Sequence, residues 1–139
     1  MSLGAPPLDL PAGFCSFPVH LEPVVNKEYG TFTTSADGAT IIKESGVLKF
    51  AISNQDTGKT TLVNASGPGT VTIYPDGSVT VLGTGHWLIF NPADDAAAFG
   101  LPGLMVTSGR LYEALDPSNK LTELSVTGRA IDVCDAISP

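Results

Sequence analysis

Along this chain a Ser or Thr repeatedly precedes a Gly inside a stretch that otherwise alternates apolar with polar residues. The sites are Ser45-Gly46, Ser66-Gly67, Thr84-Gly85, Ser108-Gly109 and Thr127-Gly128, with Tyr29-Gly30 a looser member. The flanking segments are rich in Thr, Val, Ile and aromatic residues. They are separated by turn signals at Ala36-Asp37-Gly38, Asn54-Gln55-Asp56-Thr57-Gly58, Pro75-Asp76-Gly77 and Asp116-Pro117-Ser118-Asn119. Alternation between such turns specifies antiparallel strands joined by hairpins. The pattern predicts strands over 15–24, 28–35, 39–53, 59–74, 78–90, 104–115 and 121–134. A single short helical turn is expected at 93–99, stopped by Gly100.

Folding these segments back on their turns aligns the glycines. Pairing Ser53 with Thr60 sets Gly46 opposite Gly67, and pairing Ile73 with Ser78 sets Gly67 opposite Thr84. Pairing Phe90 with Leu104 sets Gly85 opposite Gly109, and pairing Leu115 with Leu121 sets Gly109 opposite Thr127. A period of two separates the faces. One parity collects Phe32, Ile42, Leu48, Phe50, Ile52, Val63, Val81, Trp87, Ile89, Met105 and Leu111; the other collects Lys43, Lys49, Thr70, Thr72, Thr80, His86, Arg110 and Arg129. A line of glycines on the apolar face gives the sheet room to coil. The expected fold is therefore all-β: an antiparallel meander closing into a small β-barrel of about eight strands. The competing reading makes Ser45-Gly46 and Ser66-Gly67-Pro68-Gly69 extra turns.

The expected organisation is a Pro-rich flexible leader over 1–13 and a single barrel domain over 14–139. The chain has 139 residues and a formal net charge of −7, so no basic footprint for nucleic acid exists. No run approaches the roughly 20 apolar residues of a membrane helix, so membrane insertion is not expected.

Cys15 and Cys134 stand near opposite ends and match no metal-ligand spacing. In an oxidising compartment they would form one bridge; in a reducing one, two buried thiols. A strict seven-strand meander would hold them apart, which favours an eighth strand or a crossover. Residues 1–11 carry no basic and apolar signal segments, which fits a mature secreted chain behind a start methionine.

Cys15-Ser16-Phe17-Pro18-Val19 and Asp132-Val133-Cys134, with Asn64-Ala65-Ser66-Gly67-Pro68-Gly69, Pro75-Asp76-Gly77 and Thr84-Gly85-His86 between them, resemble an uncharacterised family of small secreted actinobacterial β-proteins. The resemblance spans Cys15 to Cys134. It implies secretion to an extracellular location and a disulfide, and it carries no activity. The general shape is also similar to lipocalin-like and allene-oxide-cyclase-like barrels.

Three sets of residues are candidates for function. Trp87, Phe50, Phe32 and Met105 point inward, where they would line an apolar ligand pocket or fill it. His86, Arg110 and Arg129 follow glycines on the polar face and would form a surface patch for an anionic or sugar ligand, or simply a solvated strand face. Glu113 and Asp132 share the inward parity near strand ends, as a carboxylate pair or as rim residues. No metal site, cofactor motif or nucleophile motif is present. These features point to a secreted non-catalytic binding protein taking a small apolar ligand in its interior. The alternatives are a cyclase-like lyase or isomerase, and an extracellular surface or matrix module. The sequence does not fix an oligomeric state, and a homo-oligomer through outer strands is compatible with it.

Overall fold

A computed structural model describes residues 1–139. The chain is mostly antiparallel β, as the alternation requires. Its strands are β1 (Leu8–Leu10), β2 (Val19–Thr34), β3 (Thr40–Asn54), β4 (Thr60–Asn64), β5 (Gly69–Ile73), β6 (Val79–Gly83), β7 (His86–Phe90), β8 (Leu104–Leu115) and β9 (Leu121–Asp132). Helix α1 spans Ala93–Phe99, ending at left-handed Gly100, and α2 spans Val133–Ala136.

All nine strands belong to one sheet, and that sheet does not close. Two long hairpins, β2–β3 and β8–β9, form its frame. Each frame hairpin lends one edge to two short strands. β3 pairs with β4 near its C-terminal end and with β5 near its start. β8 pairs with β7 near its start and with β6 near its end. A β5–β6 ladder joins the hairpins on one side, while β4 and β7 share no ladder on the other. The expected barrel therefore stays open between β4 and β7.

The reason lies in two glycine sites that behave as turns. Residues 65–68 leave the ladder between β4 and β5, where Pro68 offers no N–H. There the Ser66 N–H donates to Asn64 Oδ1 at 2.9 Å and the Leu48 N–H to Ser66 Oγ at 2.7 Å. Thr84-Gly85 likewise separates β6 from β7. Each expected segment, 59–74 and 78–90, is thus two strands. At Gly46, Gly109 and Gly128 the strands run through unbroken, as the bend reading requires.

Two further expectations change. Segments 15–24 and 28–35 merge into one strand, β2, which starts only at Val19 and carries a bulge between Pro23 and Val25. The leader is docked rather than free: β1 pairs with β2, Leu10 is buried, and Asn26 exchanges hydrogen bonds with the Ala5 backbone at 2.9 and 3.0 Å.

Registers follow the turns. Ser53 faces Thr60 and Phe90 faces Leu104, as expected, and the Gly109 N–H donates to Gly85 O at 3.1 Å. Ile73 faces Val79, one residue from expectation, because Tyr74 and Ser78 close the turn. A bulge between Ala114 and Leu115 shifts Gly109 opposite Gly128 instead of Thr127. Both of these glycines have positive φ, 104° and 145°. A Cβ on either would strike the other strand's backbone, at Thr127 O or Ser108 O.

The apolar residues form two clusters. In the larger, Val19, Leu21, Phe50, Ile52 and Val63 of the first hairpin and its neighbours meet Leu104 and Val106 of β8 and Val133 and Ile137 at the C-terminal end. In the smaller, Val81 and Leu111 meet Ile89 and Met105, with Trp87 packed against them. Leu104, Met105, Val106 and Thr107 are consecutive and all buried. The start of β8 thus has no wet face, where the parity reading assigned it one.

The same packing resolves the cysteine conflict without a closed barrel. Val133 of α2 and Ile137 just beyond it share the larger cluster with Cys15, Phe17, Val19 and Leu21, and Cys15 and Cys134 form a disulfide with Cα atoms 5.4 Å apart. Buried Asn54 fixes the same corner, donating from Nδ2 to Ile137 O at 3.1 Å.

Candidate functional site

The residues expected to line one interior separate into three environments. Met105 is fully buried in the smaller cluster, so it fills space and lines no opening. Phe32 is 47% exposed. It carries the inward parity opposite Ile42, but β2 and β3 reach beyond the core there and nothing covers it. Trp87 and Phe50 line one cleft of about 190 Å³, with Leu48, Ala65, Gly67, Leu88 and Phe90 forming the rest of its apolar wall.

The glycines explain how Trp87 reaches this place. Gly69 and Gly83 are a directly opposed cross-strand pair, and Gly67 precedes them in the turn. A Cβ built on any of the three would collide with the indole. The space that these three glycines leave free of side chains is therefore occupied by the protein's own tryptophan. Its Nε1–H is satisfied by Thr84 O at 3.1 Å, which fixes the ring's rotation. Phe90, also in the cleft wall, is held edge-on by Phe14 with ring centroids 6.2 Å apart.

Glu28 and Glu44 bring charge to this apolar cleft. Burial and the neighbouring Glu44 carboxylate push the Glu28 carboxyl above its ordinary pKa, and burial pushes Glu44 up in the same direction. These two glutamates were missed by the motif reading. The available signal was parity: Glu44 shares a face of β3 with Ile42, Leu48 and Phe50, so the period of two puts a carboxylate among core residues.

The expected basic patch divides. His86, Ser108 and Arg129 form a direct cross-strand row over β7, β8 and β9. His86 lines a groove of about 260 Å³ with Leu62, Val63, Val106 and Ile131. Arg110 lines a separate open depression of about 440 Å³ with Lys43, Thr70, Leu82 and Thr84, and Arg129 lines neither. The larger depression is shallow and broad, a feature of the outer surface rather than an enclosed site.

The carboxylate pair expected from Glu113 and Asp132 is also separated. Asp132 caps α2, accepting from the Asp135 N–H at 3.0 Å. Glu113 instead lies near buried Asp95 of α1; burial and that charge raise its pKa. Asp95 accepts from the Leu121 N–H at 3.3 Å, tying α1 to the start of β9. No cluster of three or more His, Cys, Asp or Glu is arranged to hold a metal ion, and no helix is long and apolar enough to cross a membrane.

No protein-family model matches this chain, and no curated protein or solved structure matches it.

Proposed function

We propose that the protein is an extracellular, non-catalytic binding protein that holds a small ligand in the cleft beside Trp87. The observation that carries this reading is the cleft itself: aromatic and aliphatic walls from Trp87, Phe50, Leu48, Leu88 and Phe90, with two carboxylates at one side. That combination of apolar lining and few convergent polar groups is what small-molecule sites are made of. At about 190 Å³ the cleft suits a group smaller than a drug-sized molecule. The disulfide supports an oxidising, extracellular setting, as does the resemblance to small secreted actinobacterial proteins.

Trp87 is the single tryptophan of the chain, so its emission reports directly on the cleft. Small apolar ligands titrated into the protein should shift that emission saturably, and native mass spectrometry of protein from its own host should show added mass. Bare mass together with an unresponsive emission across alkyl alcohols and amines would overturn the reading. The second reading, a cyclase-like enzyme, draws on the raised Glu28 and Glu44, since a general acid needs its proton held toward neutral pH. It requires turnover that Glu28→Gln abolishes.

A further inference from the structure

Glu28 on β2 stands opposite Gly46 of β3, and Glu44 of β3 stands opposite Gly30 of β2. The two carboxylates are therefore diagonal neighbours on one face of the ladder. Because each directly opposed residue is a glycine, neither has a cross-strand partner side chain; the Leu3 side chain packs over Gly30 beside Glu44, and it brings no donor or charge. Glu28 is only 9% exposed. Even so, neither glutamate joins a salt bridge: the ion pairs are His20 with Asp9 and Glu22, and Lys120 with Asp94. No protein donor hydrogen-bonds to either carboxylate. Lys43, beside Glu44 in sequence, points to the other face of β3 and does not line this cleft.

Glu28 is a nearly buried residue and Glu44 a half-buried one, and with no donor and no counter-charge their carboxylates rely on water alone at the cleft mouth, an unfavourable setting for charge. A cation entering the cleft would supply what both glutamates lack. It would donate N–H groups to them, and it would approach Trp87, the aromatic residue best suited to hold a cation. The remaining walls are Leu48, Phe50, Leu88 and Phe90, which favour an alkyl body behind the charge. The net charge of −7 draws cations toward the molecule as a whole.

We propose that the cleft beside Trp87 takes a primary alkylammonium group, with Glu28 and Glu44 as its counter-charges and the apolar walls holding its chain. The proposal rests on the cleft being a binding site and names the chemistry of what enters it. The group is carried either by a free amine or by a lysine side chain of a partner peptide.

The test compares n-butylammonium, n-butanol and an Nα-acetylated, C-terminally amidated lysine, titrated into full-length oxidised protein and into Glu28→Gln, Glu44→Gln and the double variant. Trp87 emission and calorimetry are the readouts. The expected result is saturable binding of n-butylammonium that weakens roughly tenfold with each carboxylate removed, while n-butanol binding stays unchanged. Tighter binding of the capped lysine than of n-butylammonium assigns the source to a side chain; the reverse order assigns it to a free amine. Equal binding of n-butanol and n-butylammonium, or no loss in the double variant, overturns the ammonium assignment and leaves an apolar binding cleft. Failure of all three probes to bind overturns the proposed function as well. The Gln variants remove unpaired charge and should fold at least as stably as the parent, which separates lost binding from lost structure.

Discussion

The disulfide offers the sharpest quantitative test of the fold. Cys15 and Cys134 are separated by 119 residues, so the bridge closes nearly the whole chain. In the chain-entropy treatment, a loop of this length removes about 16 cal/mol/K from the unfolded state, or about 4.9 kcal/mol at room temperature. Unfolding entropy of about 2.1 cal/mol/K per residue gives about 290 cal/mol/K for a chain of this size. The ratio predicts a fall in Tm of about 17 °C for Cys15→Ala/Cys134→Ala. The structure adds to this, because Cys15 is buried in the larger cluster and its truncation also loses packing. Urea denaturation should show an increased m-value, because the uncrosslinked chain exposes more surface when unfolded. Calorimetry and urea melts of the parent, the reduced parent and the double variant are the assay. A fall of less than about 5 °C with an unchanged m-value would refute the assumption that the bridge acts on the unfolded state. Free thiols titrated in the folded, oxidised protein would refute the pairing itself.

Other outcomes follow from single residues. Gly83→Ala should displace the Trp87 indole, shift its emission and destabilise by about 1–3 kcal/mol, the usual range for overpacking; Gly13→Ala, where a Cβ meets nothing, should leave the emission unmoved. Glu113→Gln should raise Tm at neutral pH. Burial and Asp95 raise the folded-state pKa of Glu113, so its favourable contribution is complete below the ordinary carboxylate range and is lost as pH rises through the raised value. The gain from the variant should accordingly vanish on acidification, and a gain that grows toward low pH would contradict this. Thr107→Val should be neutral or stabilising by about 1 kcal/mol, because the Thr107 hydroxyl is buried with no partner; a loss of several kcal/mol in a urea melt would show that the hydroxyl has an unseen role.

The residues differ in how much of this could be read beforehand. Asn54 to Gly58 closes a tight turn, with the Gly58 N–H donating to Asn54 O at 2.7 Å, so the facing of Ser53 and Thr60 was legible from local chemistry. The bulge after Ala114 was not, because nothing in Asp116-Pro117-Ser118-Asn119 announces an extra residue. Phe32 shows the limit of periodicity. Parity tells which side of a strand a residue takes, and only the far end of another element decides whether that side is covered. Met105 and Phe50 share parity but belong to different clusters, since β8 is packed on both faces near its start. For the cleft, Trp87 and Phe50 were legible as apolar and inward. Glu28 and Glu44 required attention to charged residues on a core parity, and their convergence depended on the long β2–β3 register.

The doubly packed start of β8 changes what holds that strand in place. In an ordinary half-exposed strand, sliding by one residue turns greasy side chains into water, and that penalty fixes alignment. Leu104, Met105 and Val106 would escape most of this penalty, because a slide merely exchanges which apolar cluster each of them enters. Alignment must be enforced elsewhere, and the facing pair Gly109 and Gly128 is suited to do it: after a slide of one position, a residue bearing a Cβ would be forced against the backbone of the neighbouring strand. In this protein the correct threading of its most deeply enclosed strand is secured by two residues with no side chain.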